Sequence, residues 1–336
     1  MIKRALIFLL FIHAQMANPA FSSDRAKYII KFATIAPEGS TWMKIMNRYN
    51  REVMERTHGE VKFRIYPGGV AGDEKDVIRK MRMGQIHAAG FTGVGLGDIL
   101  PEVRVMDLPF LFNNTEEIDY IYNQLYERFS KAFEQKGYIL LGWVEVGFVY
   151  IFTESRVNSP DDLKKIKMWV WEGDPLARST FESLGFSPIP LTITDVFTSL
   201  QTGLINGVYA SPLGAVALQW FTKVNYMLDH PVTNSAGALL MTKKRYESIP
   251  EEYREIIIEA GQKNMSKLIK LTRKENLEAI EAMRGAGVQI LEMEDPETLE
   301  MFKQMGRKVW YKMAGRLYSR ELLDEIVESL EEYRSR

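Results

Sequence analysis

Tyr28-Ile29-Ile30-Lys31-Phe32-Ala33-Thr34-Ile35 alternates in polarity and runs into Ala36-Pro37-Glu38-Gly39, the signature of a strand ending in a loop. Working outward, Ser40 supplies an N-cap for a helix from Thr41 to about Thr57, stopped by Gly59. Val61 to Tyr66 reads as a second strand closed by Pro67-Gly68-Gly69. Asp73 caps another helix to about Met83, ended by Gly84, and Ile86 to Phe91 is a third strand. Strand, helix, strand, helix, strand in that order predicts a parallel sheet with helices on its faces.

The pattern recurs with different residues. Tyr138 to Val144 and Val149 to Thr153 read as two strands. Ser159-Pro160-Asp161-Asp162 has a cap, a proline in the first turn and acids beside it. Met168 to Trp171 is a strand, Asp174 to Leu184 a helix, Thr194 a cap for a helix to about Thr202, and Asn206 to Ala210 a strand. A second α/β lobe therefore occupies about residues 150–235. From Pro250 to about Arg284 a helical pattern runs without internal proline. At 1.5 Å per residue it is about 50 Å long, enough to brace two lobes. A strand from Val288 to Glu292 and two helices, about Pro296 to Met313 and Arg320 to Tyr333, complete the chain.

The N-terminus sets the compartment. Lys3 and Arg4 precede the apolar run Ala5 to Ile12, and Ala17, Ala20, Ser22 and Ser23 supply small residues for cleavage. This is the pattern of a secretory signal peptide over 1–23, cut near residues 20–23, and its apolar run is too short to span a bilayer. The mature chain is expected in the periplasm. The formal charge of −1 is not that of a nucleic-acid binder. The chain has no cysteine, which excludes a disulfide framework, a thiol nucleophile and a thiolate metal site. His58, His87 and His230 show no ligand spacing, so no metal is expected. Gly93, Gly95 and Gly97 are spaced G-x-G-x-G rather than as a dinucleotide fingerprint, and no Walker lysine follows, so they read as a tight loop. No residues propose a nucleophile with its base, which favours binding over catalysis, and no cofactor is called for.

Several segments together resemble the solute-binding proteins of TRAP transporters, the DctP-like receptors. They are Val61 to Gly69 with Gly72-Asp73-Glu74 and Met83-Gly84-Gln85-Ile86; Asp107-Leu108-Pro109-Phe110-Leu111-Phe112; and Gly137-Tyr138 with Leu141-Gly142-Trp143. Ser159 to Lys164 with Lys167-Met168, and Leu200-Gln201-Thr202-Gly203-Leu204-Ile205-Asn206-Gly207, complete the set, which spans about residues 28–260. The resemblance implies an α/β, two-lobe, periplasmic-binding-protein-like (type II) fold with hinge strands and a long helix spanning both lobes. On this layout lobe I is 24–149 plus about 236–265, and lobe II is 150–235 plus about 281–318. The long helix is 250–284 and a C-terminal helix is 319–336. It also implies capture of a small solute by hinge closure and delivery to the integral-membrane subunits of an ion-gradient-driven transporter. Service as a ligand carrier for a sensor is the neighbouring alternative. Phe302, Trp310, Tyr311 and Tyr318 on the last helices allow a homodimer.

The sequence departs from the family where a carboxylate is usually gripped. Trp169 takes the position of the family's arginine in the Lys167-Met168-Trp169-Val170 strand. Ser211 stands where an asparagine is usual, and Val149 follows Gly147-Phe148 where some organic-acid binders carry arginine. Burying a carboxylate without a partner costs at least several kcal/mol, so the usual route to an anion is closed. The expected site is Trp169, Trp171, Glu172, Glu145, Phe148, Tyr209 and Ser211 from the second lobe and hinge. From the first lobe it takes Glu38, Ser40, Phe91, Thr92 and Gly93. The helix starts at Ser40 and Thr194 can offer backbone N–H groups. A flat aromatic or apolar solute suits this set, or a cation held by the ring faces and Glu145 or Glu172. The alternative is an organic acid held by a non-standard cation, Arg178 or Arg104.

Overall fold

The computed structural model describes residues 26–157, 160–292 and 295–336. The signal peptide expected over 1–23 and the cap expected at Ser159 fall outside them. The first lobe opens with β1 (Tyr28–Ala33), α1 (Thr41–Arg56), β2 (Val61–Tyr66), α2 (Glu74–Arg82), β3 (Ala88–Thr92), α3 (Gly93–Ile99) and α4 (Thr115–Gln135). The long strand β4 (Tyr138–Thr153) then leads to α5 (Pro160–Leu163), β5 (Lys167–Trp171), α6 (Pro175–Ser183), β6 (Ser187–Leu191), α7 (Val196–Gln201), β7 (Gly207–Ala210), α8 (Pro212–Ala217) and β8 (Tyr226–Leu228). The chain ends with β9 (Thr233–Thr242), α9 (Lys243–Glu247), α10 (Glu251–Gly285), β10 (Gln289–Leu291), α11 (Pro296–Met313) and α12 (Arg320–Arg334).

The strands run in the order β2-β1-β3-β9-β4-β7-β5-β6, with β8 joining β10 to β4. β1 is parallel to β2 and β3, and β5 is parallel to β6 and β7. Between these two parallel sets the chain crosses on antiparallel strands. β4 pairs with β9 from Tyr138 to Val149, then with β7 from Tyr150 to Thr153. One strand thus belongs to both sheets, and it changes partners between Val149 and Tyr150. The two strands read from the sequence here are one. The break between them is a bulge, a register shift between Glu145 and Gly147, with Gly147 at φ +105°, a conformation glycine reaches without strain.

Each sheet is covered on both faces. In the first lobe Leu108, Phe129 and Phe133 fill one side, while Phe32, Tyr49 and Phe63 fill the other. In the second, Met168 and Phe181 lie on one side, and Phe152, Trp169 and Trp220 on the other. α10 crosses from one lobe to the other, packing Ile257, Met265 and Leu268 in the first and Met283 in the second. α11 does the same, with Phe302 in the second lobe and Val309, Trp310 and Met313 in the first. The span 281–318 is therefore shared between the lobes rather than confined to one.

Two local readings change. Gly93, Gly95 and Gly97 lie on α3, not in a loop, and Thr92 caps it by accepting from the Val94 N–H. A Cβ on Gly95 would come 2.5 Å from Glu74 Oε2, so the glycines admit a buried carboxylate to the helix start. Thr194 is not a helix cap: Ile193–Asp195 form a 3-10 turn and α7 begins at Val196. The Thr194 hydroxyl lies 2.8 Å from that of Thr192.

α10 rests on β4 through glycine. A Cβ on Gly261 would come 2.5 Å from the Leu141 carbonyl oxygen, whereas one on Gly285, in the same helix, would meet nothing within 4 Å. Gly261→Ala is expected to destabilise the protein by about 1–3 kcal/mol, and Gly285→Ala to leave it unchanged or stabilise it by about 0.5–1 kcal/mol. Urea denaturation of the two variants checks this, and equal effects would contradict the packing described.

Candidate functional site

The carboxyl ends of the parallel strands in both lobes face one another across the crossing strands, and a cavity of about 510 Å³ lies between them. The β1–α1 loop contributes Glu38, Ser40 and Trp42, and the β3–α3 junction Phe91, Thr92 and Gly93. The crossing strands give Val149 and Asn234, the β5–α6 region Trp169, Trp171, Asp174 and Phe181, and the β7–α8 region Tyr209, Ser211 and Trp220. Thr272 and Glu275 of α10 close one side.

The wall from the second lobe is aromatic. Trp169 stacks on Tyr209 with ring centres 4.9 Å apart and planes 22° apart, and meets Trp220 edge-on at 5.1 Å. The two indoles of β5, two residues apart on one strand face, both reach the cavity. Their N–H groups are already used: Trp169 Nε1 donates to the Leu191 carbonyl at 3.1 Å, and Trp171 Nε1 to Asp73 Oδ2 of the first lobe at 2.9 Å. Both rings therefore present apolar faces, held in place by their polar edges.

Charge is buried at the base of the cavity. Arg104 Nη2 donates to Asp174 Oδ2 at 3.0 Å, joining the lobes. Its Nε lies 3.0 Å from Asp107 Oδ2 without a well-aligned hydrogen bond. Asp107 Oδ1 accepts from the Ala236 N–H at 2.8 Å. Burial opposes the Arg104 charge, but Asp174 and Asp107 outweigh it and hold the guanidinium above its ordinary pKa. Burial pushes Asp107 up to about 6, even against the attraction of Arg104. Glu74 accepts from the N–H groups of Thr92 and Gly95, both at 2.7 Å, and from the Thr92 hydroxyl at 3.0 Å. Burial nonetheless pushes it up to about 7.

Of the residues expected from sequence, Glu38, Ser40, Phe91, Thr92, Gly93, Trp169, Trp171, Tyr209, Ser211 and Arg104 line this cavity. Four do not. Glu145 is buried but paired with Arg273 Nη2 at 2.7 Å, because the bulge beside it turns the carboxylate toward α10. Phe148 packs against the first-lobe core. Glu172 is exposed on the turn after β5, and it is its backbone oxygen that is used, accepting from Lys75 Nζ at 2.8 Å. Arg178 is exposed on α6, 3.8 Å from Glu182 one turn on. Ser40 and Ser211 cap α1 and α8 by accepting from Met43 and Gly214 N–H groups. The sequence reading missed Glu74, Asp107, Phe181, Trp220 and Asn234. The two acids follow motifs that were read, but nothing in the sequence marks a carboxylate as buried. Among the described residues no group of histidine, aspartate and glutamate is placed to hold a metal ion. No helix among them is long and apolar enough to cross a membrane.

The family pattern described as DctP, bacterial extracellular solute-binding protein, family 7, matches residues 32–316. A solute-binding protein of Chromohalobacter salexigens is 28% identical over 262 residues, covering 76% of this chain and 77% of that protein. The 2,3-diketo-L-gulonate-binding periplasmic protein YiaO of Escherichia coli is 26% identical over 295 residues, 86% and 88% of the two chains. Among solved structures, the sugar acid binding protein DctPAm of Advenella mimigardefordensis in complex with galactonate matches with a TM-score of 0.85 at 21% identity. The match covers 91% of this chain and 99% of that one, a likeness of fold.

Glu74 makes stability depend on pH. Its folded-state value, about 7, lies above its ordinary 4.5, so the folded state holds the proton more tightly. Its contribution is full below about pH 4.5 and is lost as pH rises through about 7. The wild type is therefore expected to lose stability relative to Glu74→Gln between pH 5 and pH 8, by on the order of 1 kcal/mol or more. Denaturation curves at the two pH values measure it, and a difference that does not change with pH would contradict the assignment.

Proposed function

This chain belongs to bacterial extracellular solute-binding protein family 7, the DctP-like receptors of TRAP transporters, and we propose that it captures a small organic solute with a flat apolar face. The solute enters the periplasmic cleft between the lobes, is released chemically unaltered, and passes to the integral-membrane subunits of an ion-gradient-driven transporter. The observation that carries this reading is the cavity of about 510 Å³ between the lobes, walled on one side by Trp169, Trp171 and Tyr209. That volume suits a small metabolite. The rings offer dispersion and stacking surface rather than a charge.

Catalysis has less support. The buried carboxylates of Glu74, Asp107 and Asp174 are each engaged by backbone N–H groups or by Arg104. None stands free beside a nucleophile.

A second reading is an organic acid bound by Arg104. It is favoured by the place of this guanidinium in the cavity wall and by the sugar-acid ligand in the name of the Escherichia coli relative. Against it, Arg104 already faces two aspartates at 3.0 Å, so an arriving carboxylate would compete with both.

Mass spectrometry of the solute that co-purifies, followed by calorimetry with it, tests the receptor reading. Tight binding without product formation is expected. Trp169→Ala should weaken binding at least tenfold, about 1.4 kcal/mol. An unchanged dissociation constant removes the ring from the site, and steady conversion of the solute ends the receptor reading.

A further inference from the structure

Asn234 stands on β9 opposite Phe148 of the crossing strand β4. It lines the cavity and is only 1% exposed. Neither its Oδ1 nor its Nδ2 has a hydrogen-bond partner among the described residues. An asparagine amide carries two N–H donors and an acceptor oxygen, whichever way round the two atoms are assigned. Buried and unpaired at both ends, it is costly to keep unless something in the adjoining space supplies both partners.

That requirement restricts the guest. An ammonium has no acceptor for Nδ2. A carboxylate has no donor for the side-chain oxygen, and it would add a negative charge close to Asp107. That aspartate accepts from Ala236, two residues along the same strand, and with Asp174 it already shares the guanidinium of Arg104. Adjacent hydroxyls can also meet both ends, but on a puckered polyol body; an uncharged amide, lactam or urea presents a donor and an acceptor side by side on a planar one and meets both ends of Asn234 at once. The aromatic wall formed by Trp169, Trp171 and Tyr209 suits a planar body attached to such a group.

We propose that the solute is an uncharged, planar molecule bearing an amide-type donor–acceptor pair, and that Asn234 orients it through two antiparallel hydrogen bonds. This rests on the receptor reading and narrows its substrate class.

The test uses matched pairs that differ only in this group, benzamide with benzoate and nicotinamide with nicotinate. D-glucuronate serves as the sugar-acid control. Each is titrated calorimetrically into the wild-type protein and into Asn234→Ala and Asn234→Leu. The amide of each pair is expected to bind at least tenfold tighter than its acid. Both variants should lose that preference, with melting temperatures of the unliganded proteins showing that each is folded. Asn234→Leu keeps about the volume of the side chain and loses both its donors and its acceptor without adding charge, so it reports on hydrogen bonding even if the alanine variant folds poorly. Tighter binding of an acid, an amide preference that survives in the variants, or a co-purified solute that is acidic or lacks a donor–acceptor pair overturns the proposal and leaves the receptor reading standing. Failure of every probe to bind, with no small molecule co-purifying, removes both.

Discussion

Everything in this molecule hangs on the middle of β4, where one strand stops belonging to one sheet and starts belonging to the other. The bulge at Glu145–Gly147 falls just before that change of partner, and α10 holds it by two side chains. Arg273 takes the Glu145 carboxylate with Nε and Nη2, and binds Asp119 of α4 with Nη1 and Nη2. One turn on, Asn276 Nδ2 donates to the Val146 carbonyl, while its Oδ1 accepts from the Leu213 N–H of α8 in the second lobe. A residue other than glycine at 147 would place its Cβ 2.5 Å from that amide. The irregular backbone between the lobes therefore has its polar groups met by a rigid helix. Removing Arg273 would leave the buried Glu145 carboxylate without its cation, a loss that typically costs about 3–5 kcal/mol.

With the crossing fixed, the cleft follows. The two parallel sets of strands end against each other, and the first lobe touches the turn after β5 in three places. Trp171 donates to Asp73, Lys75 to the Glu172 carbonyl, and Arg104 to Asp174. These contacts are unequal. The Lys75 bond is exposed, where a polar contact contributes about 0–1 kcal/mol. The Arg104 contact is buried, and breaking it leaves the guanidinium with Asp107 alone and Asp174 without its cation. Lobe separation in the proposed receptor cycle thus has to solvate Arg104 and Asp174 together, and a solute that bridges the walls acts against that cost.

The sequence revealed the fold almost throughout, because the fold is written in local signals: alternating strands, capped helices, glycine stops and a proline-free stretch that became the 35 residues of α10. The boundaries it missed were decided by tertiary contact. Glycines 93, 95 and 97 look like a loop by propensity, and became helical because buried Glu74 accepts from the N–H groups at its start. The single strand β4 looked like two because its bulge interrupts the alternation. The site was legible where side chains follow strand period, as with Trp169 and Trp171. It was illegible where a long-range pairing decides direction. Glu145 reads as a cleft carboxylate until Arg273, 128 residues away, is brought beside it. Asn234 carries no local signal, since an asparagine between threonine and serine looks like a turn residue.

The same contrast bears on how binding preference is built here. A cleft that selects by charge can be recognised from its arginines. In this one the guanidinium that lines the wall is matched by two aspartates, and the buried acid Glu74 is held by backbone donors. Its buried charges are spent on joining lobes and fixing helix starts, while Glu38 and Lys44 stand at its exposed edge. What remains on the buried wall to discriminate between solutes is shape, ring faces, the Asn234 amide and the buried hydroxyls of Tyr209 and Thr272. Such a site discriminates against a wrong guest chiefly by leaving polar groups unpaired, a penalty that can exceed the gain from any single good contact. The selectivity of this receptor is then set less by what attracts its solute than by what the cavity makes costly for every other one.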